Sequence, residues 1–309
     1  MDRALARFVG EGLAAPVPDE ARAFAERLAK PPAAAVLFYG SALRTGDLEG
    51  VLDFYVLTDR PHRRGLRGLV ERRLWPEVSY HEASFGGREV RAKVATMTIE
   101  TFLEAARGER LDTTIWARFV QPCALAWSRD PQAAETAAEA VAQAAITATR
   151  FAAALGPPSG PARAYWKVLF RQTYAAEFRV ETPGREDQVL AFHPGRYEAL
   201  LPLGWRAGGL AFSEEDGVLW PRLGDAELAG LRRAWRARRR MGKPLNVARL
   251  VKAAFTFEGA SRYAAWKLER HTGFKAPLTP WRERHPILAA PGVLWRLGRA
   301  RRRRQADAR

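Results

Sequence analysis

Two short apolar runs, AAAVLFY at residues 33–39 and VLDFYVL at residues 51–57, constrain the fold of this chain more than any other feature. Gly40 and Ser41 follow the first; Gly50 precedes the second, and Asp59, Arg60 and Pro61 close it. Short apolar runs between turn residues read as buried strands. Residues 78–83 and 90–97 predict two more strands, joined as a hairpin through Gly86 and Gly87. Thr98, followed by Phe102, Leu103 and Ala106, predicts a helix with a threonine N-cap. Upstream, residues 3–29 carry helical spacing, divided by Pro16 and Pro18 into two short helices. Together these predict an α/β unit, a mixed sheet with helices, over about the first 130 residues.

The following stretch is different. Residues 132–155 are dominated by alanine, a strong helix former because it loses little side-chain entropy, and a Gly/Pro-rich break follows at 156–161. From there to about residue 245 the spacing is mainly helical, with a Gly/Pro-rich patch at 202–209. The expected division is residues 1–131, 132–245 and 246–309, which suits a chain of 309 residues with 47% apolar side chains. A single cysteine, Cys123, excludes an intramolecular disulfide, and the five histidines show no metal-binding spacing. No apolar run approaches the ~20 residues that a membrane-crossing helix needs.

Charge is unevenly placed. Of 50 basic and 34 acidic side chains, residues 225–309 hold 22 and 6, so the remainder of the chain is neutral and the whole excess of +16 lies at this end. A neutral body with a cationic end implies a clamp or anchor for something anionic.

The chemistry is concentrated around Gly40, Ser41 and Asp53. A glycine lets a phosphate approach the backbone, and the adjoining serine offers a hydroxyl and an N–H to its oxygens. Asp53 sits inside an apolar strand, where a carboxylate is costly unless paired or metal-bound, and it could hold Mg²⁺ against the same phosphates. Gly-Ser at the end of one strand and an acid inside the next resembles the layout of polymerase-beta-type nucleotidyltransferases. Many of them carry a second carboxylate two residues on, whereas this chain has Tyr55. Glu82 and Glu89 are the candidate substitutes; Asp59 lies too far along the strand to share a metal with Asp53, at ~20 Å.

Several segments occur in the order found in the mitochondrial-type CTP:phosphatidate cytidylyltransferases, the translocator assembly and maintenance family. Phe38, Tyr39, Gly40 and Ser41, followed by Leu52, Asp53 and Phe54, resemble its opening motif. Arg118 to Pro122 is similar to its Gly-Arg-Leu-x-Lys-Pro segment, with Ala117 and Gln121 as departures. Thr173, Tyr174, Glu177, Phe178 and Arg179 are similar to Ser-Tyr-x-Gly-Asp-x-Arg, with Ala176 and Glu177 replacing the Gly-Asp pair, and residues 252–256 are similar to Lys-Gly-Ile-x-Thr. The resemblance implies a nucleotidyltransferase domain, a winged-helix-like helical domain and a basic C-terminal segment that returns to the active site and contacts membrane. It implies an Mg²⁺-dependent reaction of CTP with phosphatidic acid, at the inner face of the cell membrane. On it, Asp53 is the metal ligand and Lys93 a catalytic cation; Gly40, Ser41, Arg118, Lys252 and Lys267 bind the anionic substrates. Lys93 stands one residue out of the family register, which a bulge or Arg91 from the same face could absorb.

The basic end allows two partners. Residues 232–243 hold seven cations and residues 296–304 six, with an apolar, Trp-tipped stretch at 286–295 before the second cluster. If residues 252–267 form one helix, Lys252, Thr256, Tyr263 and Lys267 share a stripe. Tryptophan beside cations is the composition of an interfacial anchor on anionic lipid. Nucleic acid competes for the same charge: no RNP, KH or zinc-finger motif accompanies it, but a winged-helix-like middle domain with a basic flank keeps RNA or DNA open. The resemblance favours the lipid, because Lys252 and Lys267 fall in the segment similar to the family's C-terminal motif and the arginine tail lies beyond it.

Overall fold

The computed structural model describes residues 2–61, 74–177, 184–272 and 279. Strands β1 (Ala33–Tyr39) and β2 (Val51–Thr58) pair antiparallel in the middle of a five-stranded mixed sheet. Next to β2, and parallel to it, runs β4 (Arg88–Thr98), with β3 (Glu77–Phe85) antiparallel at its outer side; β5 (Cys123–Ser128) lies antiparallel to β1 at the opposite edge. Gly86 and Gly87 turn the β3–β4 hairpin with φ of 56° and 80°, the left-handed pair whose twist matches that of the strands.

Strand alternation sends side chains to two different covers. Val36, Phe38, Phe54 and Val94 meet helix α2 (Asp19–Leu28), where the Phe24 and Phe54 rings stack at 5.8 Å. Leu37, Tyr55 and Ala95 face the other way, onto α1 (Arg3–Leu13), α4 (Ile99–Ala106), α5 (Thr114–Phe119) and the alanine-rich α6 (Pro131–Leu155). The short α3 (Ser41–Thr45) follows β1 directly. Local signals set the helix starts: the Thr98 hydroxyl accepts the Thr101 N–H at 3.2 Å, and the Asp130 carboxylate accepts that of Ala133 at 2.8 Å, with Pro131 in the first helical position.

After α6 come α7 (Ala162–Ala176), α8 (Arg185–Phe192) and α9 (Pro194–Ala207), then a hairpin of β6 (Ala211–Glu215) and β7 (Val218–Arg222), then α10 (Asp225–Thr256) and α11 (Ala260–Thr272). The hairpin stands among helices in a region whose spacing reads as mainly helical. The Gly/Pro-rich patch does not end α9 at Pro202, because Leu200, Leu201 and Trp205 are fully buried along its inner side and the Trp205 indole donates to the Thr149 carbonyl at 2.8 Å. One continuous apolar core runs from Leu5 through Phe119 and Trp166 to Trp235, with α6 inside it. The sheet and the later helices therefore share that core across residue 131, and α10 runs unbroken through residue 245. Among the described residues, no helix is long and apolar enough to cross a membrane.

Residues 252–267 do not form one helix, so the condition for a single stripe of Lys252, Thr256, Tyr263 and Lys267 is not met. The chain breaks at 257–259, where Glu258 forms a parallel bridge with Ser79 and the Tyr80 N–H donates to the Glu258 carbonyl at 2.8 Å. Gly259 makes the turn at φ 78°, and a Cβ there would lie 2.5 Å from the Tyr80 carbonyl oxygen. Lys252 and Thr256 thus end one helix, while Tyr263 and Lys267 belong to the next.

Candidate functional site

One rung of the sheet organises the site. Tyr80, Lys93, Asp53, Tyr39 and Cys123 stand in register across β3, β4, β2, β1 and β5, and directly opposed residues share a face. Asp53 is therefore flanked by Lys93 on one side and Tyr39 on the other. The register between β2 and β4 is continuous, without the bulge allowed for above, so Lys93 and Arg91 both present to the Asp53 face.

Gly40 leaves β1 beside that carboxylate. Its φ of 94° and ψ of −161° are open essentially to glycine alone, and a Cβ there would lie 2.7 Å from Asp53 Oδ2. Ser41 opens α3, and Arg44 at the end of the same turn adds positive charge near Asp53. Burial raises the Asp53 pKa above the ordinary carboxylate value; Lys93, Arg118 and Arg44 oppose that rise.

Arg118 reaches the site from α5. Its guanidinium lies 5.4 Å from the Tyr39 ring centroid and 5.8 Å from that of Tyr55, and Nη1 donates to the Tyr55 hydroxyl at 3.1 Å. Burial opposes its charge, but Tyr39, Tyr55, Glu177 and Asp53 outweigh this and hold its pKa above the usual arginine value. Tyr55 itself is wholly enclosed, 5.1 Å from the Phe119 ring and 6.1 Å from that of Phe102, so the position of a second carboxylate is occupied by a phenol bound to arginine.

The candidate substitutes are otherwise engaged. Glu82 accepts from the Tyr80 hydroxyl at 2.9 Å, Glu89 accepts from Arg91 at 2.8 Å, and Asp59 pairs with Arg129 beyond the far end of β2. Among the described residues no three His, Cys, Asp or Glu side chains gather as a metal site. Asp53 is the one carboxylate on this rung of the sheet, and so the one side chain of the rung that could help to hold a cation.

Helix α11 covers this end of the sheet. The Tyr263 ring lies 5.4 Å from that of Tyr80, and burial together with the charge of Asp53 raises the Tyr263 pKa. Lys267 Nζ lies 5.9 Å from the Tyr263 ring centroid, and a Cβ on Gly50 would be 3.8 Å from Arg270 Nη1. Of the sequence-predicted residues, Gly40, Lys93 and Arg118 lie around Asp53, Ser41 follows Gly40 directly, and Lys267 stands on the covering helix beside Tyr263. Lys252 is held apart from them: its Nζ donates to the Leu74 carbonyl at 2.8 Å and lies 3.8 Å from Glu77, tying α10 to the start of β3. Arg44 and Arg270 were not anticipated, although each stands three residues after a predicted site residue, Ser41 and Lys267. Phe178, Arg179 and the stretches at 286–295 and 296–304 lie outside the described residues. No protein-family model matches the chain, and no curated protein matches it.

Proposed function

We propose that this chain is a nucleotidyltransferase of the polymerase-beta type that joins CTP to phosphatidic acid at the inner face of the cell membrane, yielding CDP-diacylglycerol and pyrophosphate. The observation that carries the reading is the apposition of Gly40 and Asp53: a side-chain-free backbone position against a buried carboxylate, with Lys93, Arg118 and Arg44 around it. A triphosphate needs that combination of close backbone approach and positive charge. The hairpin of β6 and β7 after α7 to α9 supports a winged-helix reading of the middle region.

A phosphatidate oxygen attacks the α-phosphorus of CTP; the bond to the β-phosphate bridging oxygen breaks, and pyrophosphate leaves with the electron pair. A phosphate monoester is already an anionic nucleophile, so little is asked of an acid or base, and the work is positioning and charge stabilisation. Ser41 and the Gly40 backbone receive the phosphates, Lys93 offsets the developing charge, and Arg118 holds Tyr55 and the Asp53 side of the site in place. Lys267 and Arg270 bring further charge from the covering helix. Asp53 would hold Mg²⁺, which when bound supplies additional charge neutralisation to the triphosphate.

The test is incubation with CTP, Mg²⁺ and phosphatidic acid, followed by mass spectrometry of the lipid. CDP-diacylglycerol is expected from the wild type and not from Asp53→Asn. No product with lipid present, together with equal CTP binding by wild type and Asp53→Ala, overturns the reading.

A further inference from the structure

We infer that the outward face of α10 is a docking surface for anionic lipid, distinct from the C-terminal stretches beyond residue 272. The helix has a fixed inner side. Trp235 is buried, the Arg238 guanidinium donates to the carbonyls of Gly108 and Arg110, and Arg249 pairs with Asp112 and lies 4.4 Å from the Trp75 ring centroid. These contacts prevent the helix from rolling. They also remove Arg238 and Arg249 from the surface charge.

What remains outside is ordered along the axis. Arg232, Arg233, Arg236, Arg239, Arg240 and Lys243 are exposed at three- to four-residue spacing, and no acidic residue occurs between Glu227 and Glu258. The same stripe then turns aliphatic: Val247, Leu250 and Val251 are 49%, 59% and 56% exposed. From Arg232 to Val251 the stripe is ~29 Å long at 1.5 Å per residue. A continuous face that is cationic in one half and aliphatic in the other matches a surface offering phosphate charge with hydrocarbon just beneath it. Nucleic acid would use the arginines but has nothing for three adjacent aliphatic side chains, which carry neither an aromatic stacking plane nor a hydrogen-bonding group.

The inference does not depend on the transferase reading. Flotation of the full chain with phosphatidylcholine vesicles, with and without phosphatidylglycerol, tests it. Binding is expected only with the anionic lipid and should weaken with salt. Neutralising Arg233, Arg236 and Arg240 to Gln should lower partitioning about 100-fold, from ~1 kcal/mol for each cation near such a surface. The same three changed to Lys should retain it. Val247→Ser, Leu250→Ser and Val251→Ser together should lower it by at least about tenfold. All these positions are exposed, so unchanged circular dichroism and melting temperature check that the fold persists. The inference is overturned if the aliphatic triple variant binds anionic vesicles like the wild type, or if RNA competes the protein off vesicles and binds the aliphatic variant equally well. Turnover of a short-chain, water-soluble phosphatidate separates the two proposals: docking variants should retain it, while its absence in wild-type protein that still floats counts against the transferase reading alone.

Discussion

Replacing Gly40 by Ala tests the central geometry directly. Two costs add. A residue at φ 94° and ψ −161° with a Cβ is strained by about 1–3 kcal/mol. The new methyl would also lie 2.7 Å from Asp53 Oδ2 and 3.4 Å from its Cγ, so the buried carboxylate must turn out of its place, while the 3.3 Å contact with Asp53 Cβ needs a shift of only a few tenths of an ångström. Overpacking of that kind costs about 1–3 kcal/mol. Gly46→Ala is the control, because Gly46 has φ 71° but nothing within 4 Å of its added Cβ, and a left-handed alanine alone costs about 1–2 kcal/mol. Urea unfolding should therefore show Gly40→Ala losing about 2–6 kcal/mol and more than the control. Adding Asp53→Ala should recover the steric part, giving a coupling of about 1–3 kcal/mol between the two sites. Additive effects of Gly40→Ala and Asp53→Ala, or equal losses at Gly40 and Gly46, would refute the proposed apposition.

Burial raises the Asp53 pKa, so the stability its carboxyl contributes is fully present below the unfolded value of 3.8 and is lost as pH rises through the folded value. Asp53→Asn should accordingly gain on the wild type as pH rises from 3 to 7 in chelator, and a flat difference in urea midpoint would contradict the burial. Gly259→Ala places a Cβ 2.5 Å from the Tyr80 carbonyl at φ 78°, and should release α11 from the sheet edge with a loss of about 2 kcal/mol or more; hydrogen exchange should show the Tyr80 amide and residues 260–272 losing protection together, and unchanged protection would sink the prediction. Burial pushes the Cys123 thiol up to about 12, so a disulfide reagent at pH 8 should find no reactive thiol in the folded protein and one after unfolding.

The sheet was legible because its signals are local. Apolar runs bounded by glycine, the Gly86-Gly87 turn and the Thr98 cap each act within a few residues. The hairpin of β6 and β7 also carried a local signal, Asp216-Gly217, with φ of 49° and 74° in the structure, but the flanking segments Ala211–Glu215 and Val218–Arg222 alternate too weakly to read as strands. The break at 257–259 carried only Gly259 as a local cue, and the contact that accompanies it, a bridge to Ser79, lies far away in the chain. Charge misled in a similar way: Arg238 looks like a member of the solvated basic run at 232–243, and only the packing of α10 turns it onto the carbonyls of Gly108 and Arg110 and turns Arg249 onto Asp112. Asp53 and Gly40 were visible as residue types; their contact was not, because it depends on which strands become neighbours.

The shared core has a practical consequence for anyone dividing this chain. A fragment ending at residue 131 would keep all five strands of the sheet but lose the helix against which Trp116 and Phe119 pack, with the Trp116 and Phe151 rings stacked at 5.3 Å. Water would reach side chains that the intact protein keeps wholly dry, each contributing about 1.5–3 kcal/mol by burial. The Asp53 site is therefore not a transplantable cassette: a shortened clone would expose this apolar surface to water, and swaps with another protein must carry residues 131–155 along.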